Sequence, residues 1–427
     1  MEIGELYQKY LETGKVSTDT RQITSGSVFF ALKGPKFNAN EFADEALRQG
    51  ALCAVVDDPR FASSPRHVLV KDSLEALQGL ARHHRNQLSI PVIGLTGSNG
   101  KTTSKELVHA VLSRKFRTLA TVGNLNNHIG VPLTILSIDR TCEMAIIEMG
   151  ANHVGEIALL CSIANPTHGF ITNIGKAHIG TFGGFDQVIR GKSELYHHLI
   201  QNQGTVFINS LNPILSGMAK RFEKPVFYPA QGDYYHCERV DESYLLRVKA
   251  EDGEIINTQL TGSYNFENVA VALTIGKYFG IDGKRANEAV AAYSPGNMRS
   301  QVIRKGSNTI ILDAYNANPS SMEAAIGNLS KMKDARRIAI LGDMYELGDE
   351  TVSEHARIGT ILRENSIREA YLCGPLMKSA SSTFSEGHFF DSLEELMSAL
   401  KAKPLVDSTI LIKGSRGMKM EKILDAL

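Results

Sequence analysis

A glycine-rich stretch that ends in a lysine and two threonines is the strongest chemical signal in the sequence. Residues 92–103 read Val-Ile-Gly-Leu-Thr-Gly-Ser-Asn-Gly-Lys-Thr-Thr, so an apolar stretch is followed by a loop and a helical pattern. Glycines let backbone N–H groups converge on phosphate oxygens, and a helix N-terminus adds favourable partial charge. We predict that the loop from Gly94 to Thr103 binds nucleotide phosphates, with Lys101 at the terminal phosphates and the Thr102 hydroxyl on Mg²⁺.

This loop departs from the common phosphate-binding pattern, which has four residues between its first glycine and Gly-Lys. Here the glycines stand at Gly94 and Gly97, so only Gly-x-x-Gly-Lys-Thr-Thr remains. The alternative is an ordinary glycine-rich turn between a strand and a helix. The flanking strand and helix patterns favour the phosphate loop.

Three further side chains could serve a metal ion. Glu148 ends the apolar stretch 145–148, and ligands bind beyond the carboxyl ends of strands in open α/β sheets. Mg²⁺ prefers hard oxygen ligands and often takes only one or two carboxylates. Taken singly, Glu148 could equally be a helix cap or a surface charge, His178 is more often a structural loop histidine, and Lys192 is more often a solvated lysine. Only the set of three indicates a site.

The surrounding pattern predicts an α/β protein of three domains. A chain of 427 residues is too long for one ordinary core. Continuous apolar stretches separated by helical patterns are typical of mostly parallel sheets. We predict strands at 28–32, 52–57, 67–70, 92–95, 145–148, 169–172, 205–209, 309–312, 338–341, 370–373 and 409–412, and helices at 73–85, 101–114 and 265–279.

The domain limits follow from changes in this pattern. We predict a small N-terminal α/β domain over residues 1–88 and a central P-loop-type domain over 89–298, whose mostly parallel sheet is flanked by helices. Residues 225–260 read as a small antiparallel excursion within it. The turn cluster Ser-Pro-Gly-Asn at 294–297 precedes a C-terminal Rossmann-like α/β domain over 299–427.

Composition excludes several classes of protein. Lysine plus arginine and aspartate plus glutamate both number 46, so there is no basic excess of the kind that nucleic-acid-binding proteins show. The five cysteines are scattered and form no Cys-x-x-Cys pair, which favours reduced thiols in a cytoplasmic protein. We predict no signal peptide and no membrane insertion.

As a set, these residues resemble the Mur ligase family, which uses ATP to form the amide bonds of bacterial cell-wall precursors. The similarity runs along nearly the whole chain. Glu148 in Glu-Met-Gly-Ala matches the family's magnesium carboxylate, His178 in Asn-Ile-Gly-Lys-Ala-His matches its histidine for a second metal, and Lys192 matches a lysine carbamylated by CO₂. The resemblance implies an ATP loop made of Gly97, Ser98, Asn99, Gly100, Lys101, Thr102 and Thr103.

The same resemblance implies a nucleoside site and two Mg²⁺ ions. Asn268, in Tyr-Asn-Phe-Glu-Asn, is similar to the second asparagine of the family's Asn-x-x-Asn helix start near the adenine. Arg299 resembles the linker arginine, which would add positive charge, and Asp313 resembles the ribose-binding aspartate; in isolation, Asp313 reads as a strand-end cap. The first ion would lie on Thr102 and Glu148, and the second on His178 and carbamylated Lys192.

Within the family, six segments resemble the ligase of the last step, at 18–21, 26–32, 123–127, 313–319, 341–348 and 413–418. The Asp-Asn-Pro-Arg motif of the preceding ligase is absent. The resemblance implies UDP-N-acetylmuramoyl-tripeptide and D-Ala-D-Ala as substrates. Substrate contacts would come from Thr20, Arg21, Asn126 and Asn127, and from Ser415 and Arg416 on the dipeptide side. The chain departs from the family's Phe-Asp-Gly-His near the uridine, with Phe-Asn-Ala-Asn at 37–40.

The implied reaction is phosphorylation of the tripeptide carboxylate by ATP, followed by attack of the D-Ala-D-Ala amine on the acyl phosphate. Sites on separate domains must meet, so closure should accompany binding. We expect a monomer. The alternatives are another Mur-type or folylpolyglutamate-type ligase, a P-loop kinase, and a non-catalytic relative, which would be expected to lose Lys101, Glu148 or Lys192.

Overall fold

The N-terminal part of the chain forms a small parallel sheet with helices. The computed structural model describes residues 2–176, 179–241, 245–332 and 336–427. The first elements are α1 (Ile3–Leu11), β1 (Val16–Ser17), β2 (Val28–Phe30), β3 (Lys33–Gly34), β4 (Phe37–Asn38), α2 (Ala43–Arg48), β5 (Cys53–Val56), β6 (His67–Leu69) and α3 (Ser73–Asn86). The sheet has the order β1-β2-β5-β6 with all pairs parallel, while β3 and β4 form a separate antiparallel pair.

The central part contains a six-stranded parallel sheet. Its elements are β7 (Val92–Thr96), α4 (Lys101–Leu112), β8 (Thr118–Ala120), α5 (Gly130–Leu136), β9 (Met144–Glu148), α6 (Glu156–Ala164), β10 (His168–Ile171), α7 (Ile179–Phe182), α8 (Phe185–Gln201), β11 (Thr205–Asn209), α9 (Pro213–Met218) and β12 (Val226–Tyr228). The order is β12-β11-β10-β7-β9-β8, with every pair parallel. Because β7 lies between β10 and β9, the carboxyl ends of these three strands meet at one edge of the sheet.

An antiparallel sheet and two helices follow the central sheet. They are β13 (Glu238–Arg239), β14 (Leu245–Lys249), β15 (Ile255–Thr261), α10 (Phe266–Tyr278) and α11 (Gly283–Ala292). The order β13-β14-β15 confirms the predicted antiparallel excursion from Glu238 onward. The start of the predicted range 225–260 differs, because β12 joins the central sheet in parallel with β11.

The C-terminal part holds a second six-stranded sheet. Its elements are β16 (Gln301–Lys305), β17 (Asn308–Asp313), α12 (Pro319–Ser330), β18 (Arg337–Gly342), α13 (Thr351–Glu364), β19 (Glu369–Cys373), β20 (His388–Phe390), α14 (Leu393–Ala402) and β21 (Thr409–Lys413). The order is β16-β17-β21-β18-β19-β20, and only β16, which the sequence did not predict, runs antiparallel to its neighbour.

Burial on both faces explains why the strands read as continuous apolar stretches. Side chains alternate between the faces of a strand. Val92 therefore packs in the core on one face of the central sheet and Ile93 in the core on the other, each with no exposed surface. Helices cover both faces of the sheet. Neither face of these strands contacts solvent, so both carry apolar side chains.

Two details differ from the sequence prediction or add to it. Gly94 was expected to begin the phosphate loop but lies inside β7, where a Cβ atom would meet Met149 and Pro166 at 2.7 and 2.9 Å. This glycine therefore serves close packing beneath the sheet, and the loop begins at Gly97.

In the part of the chain that the structure describes, no helix is both long and apolar enough to span a membrane.

Candidate nucleotide and metal site

The loop between β7 and α4 needs glycine at two positions. Gly97 has φ +148° and Gly100 has φ +77°, in the region that favours glycine. A Cβ atom on Gly97 would lie 2.0 Å from Thr172 Oγ1, and one on Gly100 would lie 2.6 Å from Asn268 Oδ1. The backbone can thus turn tightly into the first residue of α4.

The loop tip is held by the segment that follows β10. The Ser98 N–H donates to Asn173 O at 2.9 Å, and the Asn99 N–H donates to Asn173 Oδ1 at 3.0 Å. The Thr172 hydroxyl donates to Asn99 O at 2.6 Å. The Ser98 hydroxyl also donates to Gly175 O and accepts from Gly175 N. These hydrogen bonds within the protein hold the loop tip in place.

Lys101 folds back over this loop. Its Nζ donates to Gly97 O at 2.7 Å and to Ser98 O at 3.3 Å. Burial lowers the pKa of Lys101, the nearby Arg299 charge lowers it further, and Glu148 opposes both. The ammonium group is therefore held at the mouth of the loop, where an anion would relieve the cost of its burial.

Glu148 confirms the prediction of a carboxylate at a strand end. The side chain is 1% exposed, and it accepts from Thr102 Oγ1 at 2.9 Å and from Asn126 Nδ2 at 2.8 Å. No cationic side chain within the described ranges forms a salt bridge with it. Its hydrogen-bond partners are neutral, and Lys101 is a nearby cation that acts on it only through the electrostatic field. A buried carboxylate beside a hydroxyl suits Mg²⁺. Among the described residues, no group of three or more His, Cys, Asp or Glu side chains could hold a metal ion.

Lys192 is not the solvated surface lysine that it resembles in isolation. It lies in α8 with 1% exposure, donates to Ala151 O at 3.2 Å, and has its Nζ 5.2 Å from the centre of the Phe182 ring. Burial lowers the pKa of Lys192 to about 7; the Lys101 charge contributes, and Glu156 and Glu194 oppose it. A fraction of this amine is therefore neutral near neutral pH.

A chain of amide hydrogen bonds forms the wall behind the loop. Ser104 Oγ donates to Asn268 Oδ1, Asn268 Nδ2 donates to Asn265 Oδ1, and Asn265 Nδ2 donates to Thr261 O, each at 2.8 Å. This series links α4 to the start of α10. It leaves each amide with further hydrogen-bonding capacity toward the cavity.

Arg299 and Asp313 face the cavity from the C-terminal part of the chain. The Arg299 guanidinium lies 3.8 Å from the centre of the Tyr315 ring, and its buried Nε has no hydrogen-bond partner within the described residues. Asp313 is the last residue of β17. Its carboxylate accepts hydrogen bonds from Lys413 Nζ at 2.6 Å and from Ser300 N at 3.0 Å. The backbone around Arg299 is left-handed at Asn297, Met298 and Ser300, which turns this linker sharply.

These groups line one cavity of about 1040 Å³. That is the upper end of the range of roughly 300–1,000 Å³ typical of small-molecule sites. The cavity brings together these predicted residues: Ser98, Asn99, Gly100, Lys101, Thr102, Thr103, Asn126, Asn127, Glu148, Asn268, Arg299 and Asp313. Gly97 lies at the base of the loop. Lys192 adjoins the cavity through Ala151, which lines it.

Besides Gly97 and Lys192, four further predicted residues that the structure describes do not line this cavity. Thr20 and Arg21 lie in a short 3₁₀ turn, where the 86% exposed Arg21 side chain pairs with Asp19 at 2.7 Å. Ser415 Oγ accepts from Tyr345 N at 2.9 Å, and Arg416 pairs with Glu421. His178 lies outside the described residues.

The structure adds residues that sequence reasoning did not select. Asn173 supports the loop, Lys413 neutralises Asp313, and Asn318 Nδ2 donates to Asn99 Oδ1 at 2.8 Å. Asn173 follows the end of β10 by two residues, Lys413 ends β21, and Asn318 lies in the segment 313–319 noted above. Position relative to a strand end could therefore have identified the first two from the sequence. Their partners are far away in sequence.

Comparison with known proteins agrees with this geometry. The family model of the Mur ligase middle domain matches residues 95–276, and that of the Mur ligase glutamate ligase domain matches residues 298–416. A UDP-N-acetylmuramoyl-tripeptide–D-alanyl-D-alanine ligase of Bacillus subtilis is 34% identical over 96% of this chain and 92% of its own. The crystal structure of MurF from Acinetobacter baumannii has a TM-score of 0.87 at 30% identity, over 96% of this chain and 92% of that one. MurF ligase from Thermotoga maritima, in complex with ADP, has a TM-score of 0.85 at 27% identity, over 96% of both chains. The chain therefore belongs to the Mur ligase family.

Proposed function

We propose that this protein is the ATP-dependent ligase that joins D-Ala-D-Ala to UDP-N-acetylmuramoyl-tripeptide in cytoplasmic peptidoglycan precursor synthesis. The observation that carries the proposal is the cavity in which Lys101, Glu148, Arg299 and Asp313 converge around the loop after β7. The Bacillus subtilis relative is a UDP-N-acetylmuramoyl-tripeptide–D-alanyl-D-alanine ligase, and its substrates are the ones that we propose here.

We assign the ATP phosphates to residues 97–103. The helix N-terminus at Lys101 and the tightly turned glycines offer backbone donors to phosphate oxygens. Lys101 would exchange the carbonyls of Gly97 and Ser98 for the terminal phosphates. Asn268 and Asp313 would hold the nucleoside, and Arg299 would approach the transferring phosphoryl group.

Magnesium fits the pair formed by Thr102 and Glu148. Both side chains present oxygen, and Glu148 is buried without a cationic hydrogen-bond partner among the described residues. A bound Mg²⁺ would supply positive charge between two anions, the phosphate and the substrate carboxylate.

A second Mg²⁺ would require carbamylation of Lys192, with His178 as the other proposed ligand. Reaction with CO₂ needs a neutral amine, and the lowered pKa of Lys192 provides one. The carbamate would replace a cation by an anionic oxygen ligand. The buried position beside Ala151 and Phe182 limits access of bulk water to the group.

The two substrates would approach this centre from different domains. We propose that residues 1–88 hold the UDP end, with Thr20 and Arg21 among the contacts, and that residues 89–298 hold ATP. Residues 299–427 would receive the dipeptide near Ser415 and Arg416. Asn126 and Asn127 line the cavity. They would contact the sugar–peptide portion of the UDP substrate.

The proposed chemistry transfers the γ-phosphoryl group of ATP to the free carboxylate of the tripeptide, which releases ADP. The amine of D-Ala-D-Ala then attacks the acyl carbon, and the tetrahedral intermediate expels phosphate as the amide forms. Lys101 and Arg299 would stabilise the negative charge on the transferring group. The side chains thus act by positioning and charge.

The test is phosphate release from ATP and Mg²⁺ in the presence of UDP-N-acetylmuramoyl-tripeptide, with and without D-Ala-D-Ala. We expect release that needs both substrates, and a UDP-pentapeptide by mass spectrometry. Release with glutamate or a free diamino acid would move the assignment to another Mur-type or folylpolyglutamate-type ligase. Absence of release with every acceptor would refute the catalytic proposal. Light scattering of the same sample should show a monomer.

A further inference from the structure

We infer that Asn318 is a positioning residue that holds the tip of the nucleotide loop from the C-terminal part of the chain. The inference rests on the proposed placement of ATP phosphates on this loop. It goes beyond the proposed function because Asn318, which precedes α12 in the C-terminal part of the chain, contacts a loop that belongs to the central part.

The geometry of Asn318 divides its side chain between two tasks. Asn318 is the N-cap of α12, and its Oδ1 accepts from Ser321 N at 2.9 Å. Its Nδ2 donates to Asn99 Oδ1 at 2.8 Å. The cap bond fixes which amide atom faces Asn99, so the donor is oriented by the helix that carries it.

Asn99 is hydrogen-bonded by two different parts of the chain. The central part of the chain holds its backbone through Thr172 and Asn173. Asn318 is the partner of its side-chain oxygen. The loop tip therefore reaches its full set of hydrogen bonds only when the start of α12 is docked against it.

Two neighbouring contacts show that this docking is close. Lys176 N donates to Ser320 Oγ at 3.2 Å, and a Cβ atom on Gly175 would lie 3.2 Å from the same hydroxyl oxygen. Farther along the interface, a Cβ atom on Gly180 would lie 2.6 Å from Gly348 N. Backbone meets backbone there, so the central and C-terminal parts of the chain are in close contact at both places.

The consequence is a reciprocal coupling between nucleotide binding and docking of the C-terminal part. If the docked Asn318 favours the phosphate-binding shape of the loop, a bound nucleotide must favour docking by the same factor. Nucleotide binding would then favour the docked position of the C-terminal part, which we propose receives the dipeptide.

The experiment compares Asn318→Ser with the parent full-length protein by calorimetric titration of Mg²⁺–ADP. Serine keeps an oxygen that can cap α12 but is too short to reach Asn99. We expect the ADP dissociation constant to rise about fivefold, as for one lost neutral hydrogen bond. The KM for ATP should rise with it, while the KM for D-Ala-D-Ala changes less. Asn318→Ala should add a fall in Tm because it also removes the cap.

A matched control is Asn212→Ser. Asn212 also caps a helix that begins with proline, since its Oδ1 accepts from Ile214 N and Leu215 N at 3.2 Å. We expect this variant to bind ADP as the parent does.

A double-mutant cycle with Asn99→Ala isolates the bond itself. We expect the ADP dissociation constant of the double variant to be no higher than that of whichever single variant binds ADP less tightly. Additive losses, or an Asn318→Ser variant with parental ADP affinity, would overturn the inference. A parent that binds no ADP would instead overturn the proposed nucleotide site.

Discussion

The nucleotide loop and the turn at Thr20 and Arg21 differ in how firmly the protein holds their polar groups. Ser98 and Asn99 are fixed by hydrogen bonds to residues after β10. Arg21 is 86% exposed and pairs only with its neighbour Asp19 among the contacts described. The first region is therefore a tightly hydrogen-bonded loop, whereas the Arg21 side chain of the second is held only by an exposed ion pair.

This difference predicts where substitutions act. In a preformed polar site, removal of one group leaves buried partners unsatisfied, so its loss costs more than the bond itself. In the exposed turn, water replaces any lost contact. Variants of the nucleotide site should therefore lose catalysis, and variants of the turn should only weaken binding of one substrate.

The largest effect should come from Lys101→Met. Methionine keeps the length of the side chain but removes the charge that we place at the terminal phosphates. We expect kcat to fall roughly 10²–10³-fold, as on removal of one donor to a developing anion. Phosphate release measures this. Lys284→Met, at an exposed position, is the surface control. Retention of kcat within a factor of about ten would contradict the role of Lys101.

A somewhat smaller loss is expected for Glu148→Gln. The substitution removes the carboxylate charge, and glutamine cannot accept from both Thr102 and Asn126 in the same way. We expect roughly 10²-fold lower activity at fixed Mg²⁺, from several kcal/mol of lost charge stabilisation. A magnesium titration should show that more metal restores part of the rate. A loss that is independent of magnesium would show that Glu148 acts only as a structural acceptor.

The change of activity with pH and CO₂ should be smaller than the effect of either substitution. With its pKa lowered to about 7, Lys192 passes from roughly 90% neutral at pH 8 to roughly 10% at pH 6. We expect the carbamate to form less as pH falls through 7. Activity in CO₂-depleted buffer should recover on addition of bicarbonate. With ¹³C-bicarbonate, a protein-bound carbamate signal should appear in NMR spectra of the parent and not of Lys192→Met.

The sign of the linked stability effect follows from the same pKa. Between about pH 7 and the ordinary lysine value of 10.5, the unfolded chain binds more protons at Lys192 than the folded chain does. The free energy of unfolding should therefore rise with pH across that window, and the rise should be smaller in Lys192→Met. Denaturation at several pH values checks this. An equal rise in both proteins would place the effect elsewhere.

The sequence predicted the parts of the site that depend on strand ends. Thr102 follows β7 and Glu148 ends β9, and adjacent parallel strands bring such positions together. A short-range pattern is enough for this prediction. The error at Gly94 has the same origin, because a glycine inside a strand and a glycine in a loop look alike until the packing against Met149 is known.

Burial and long-range contacts were beyond such a pattern. Lys192 reads as a surface lysine on α8, and only the packing of Phe182 and Ala151 reveals its environment. Asn318 and Asn99 are 219 residues apart in sequence. The roles of Thr20, Arg21, Ser415, Arg416 and His178, like the other residue roles proposed here, remain predictions.

The smallest effect should come from Arg21→Ala, and it sharpens the comparison because the chain offers a close control. Asp19 caps a short turn and pairs with Arg21, just as Asp58 caps a turn and pairs with the exposed Arg60. If Arg21 contacts the UDP substrate, Arg21→Ala should raise its KM about threefold, in the range of a solvent-exposed ion pair. Arg60→Ala should leave that KM unchanged. Both variants should keep the parental Tm and ADP affinity, because neither turn contacts the nucleotide cavity. Equal KM changes in the two variants would show that Arg21 acts through general surface charge and not through a contact with the substrate.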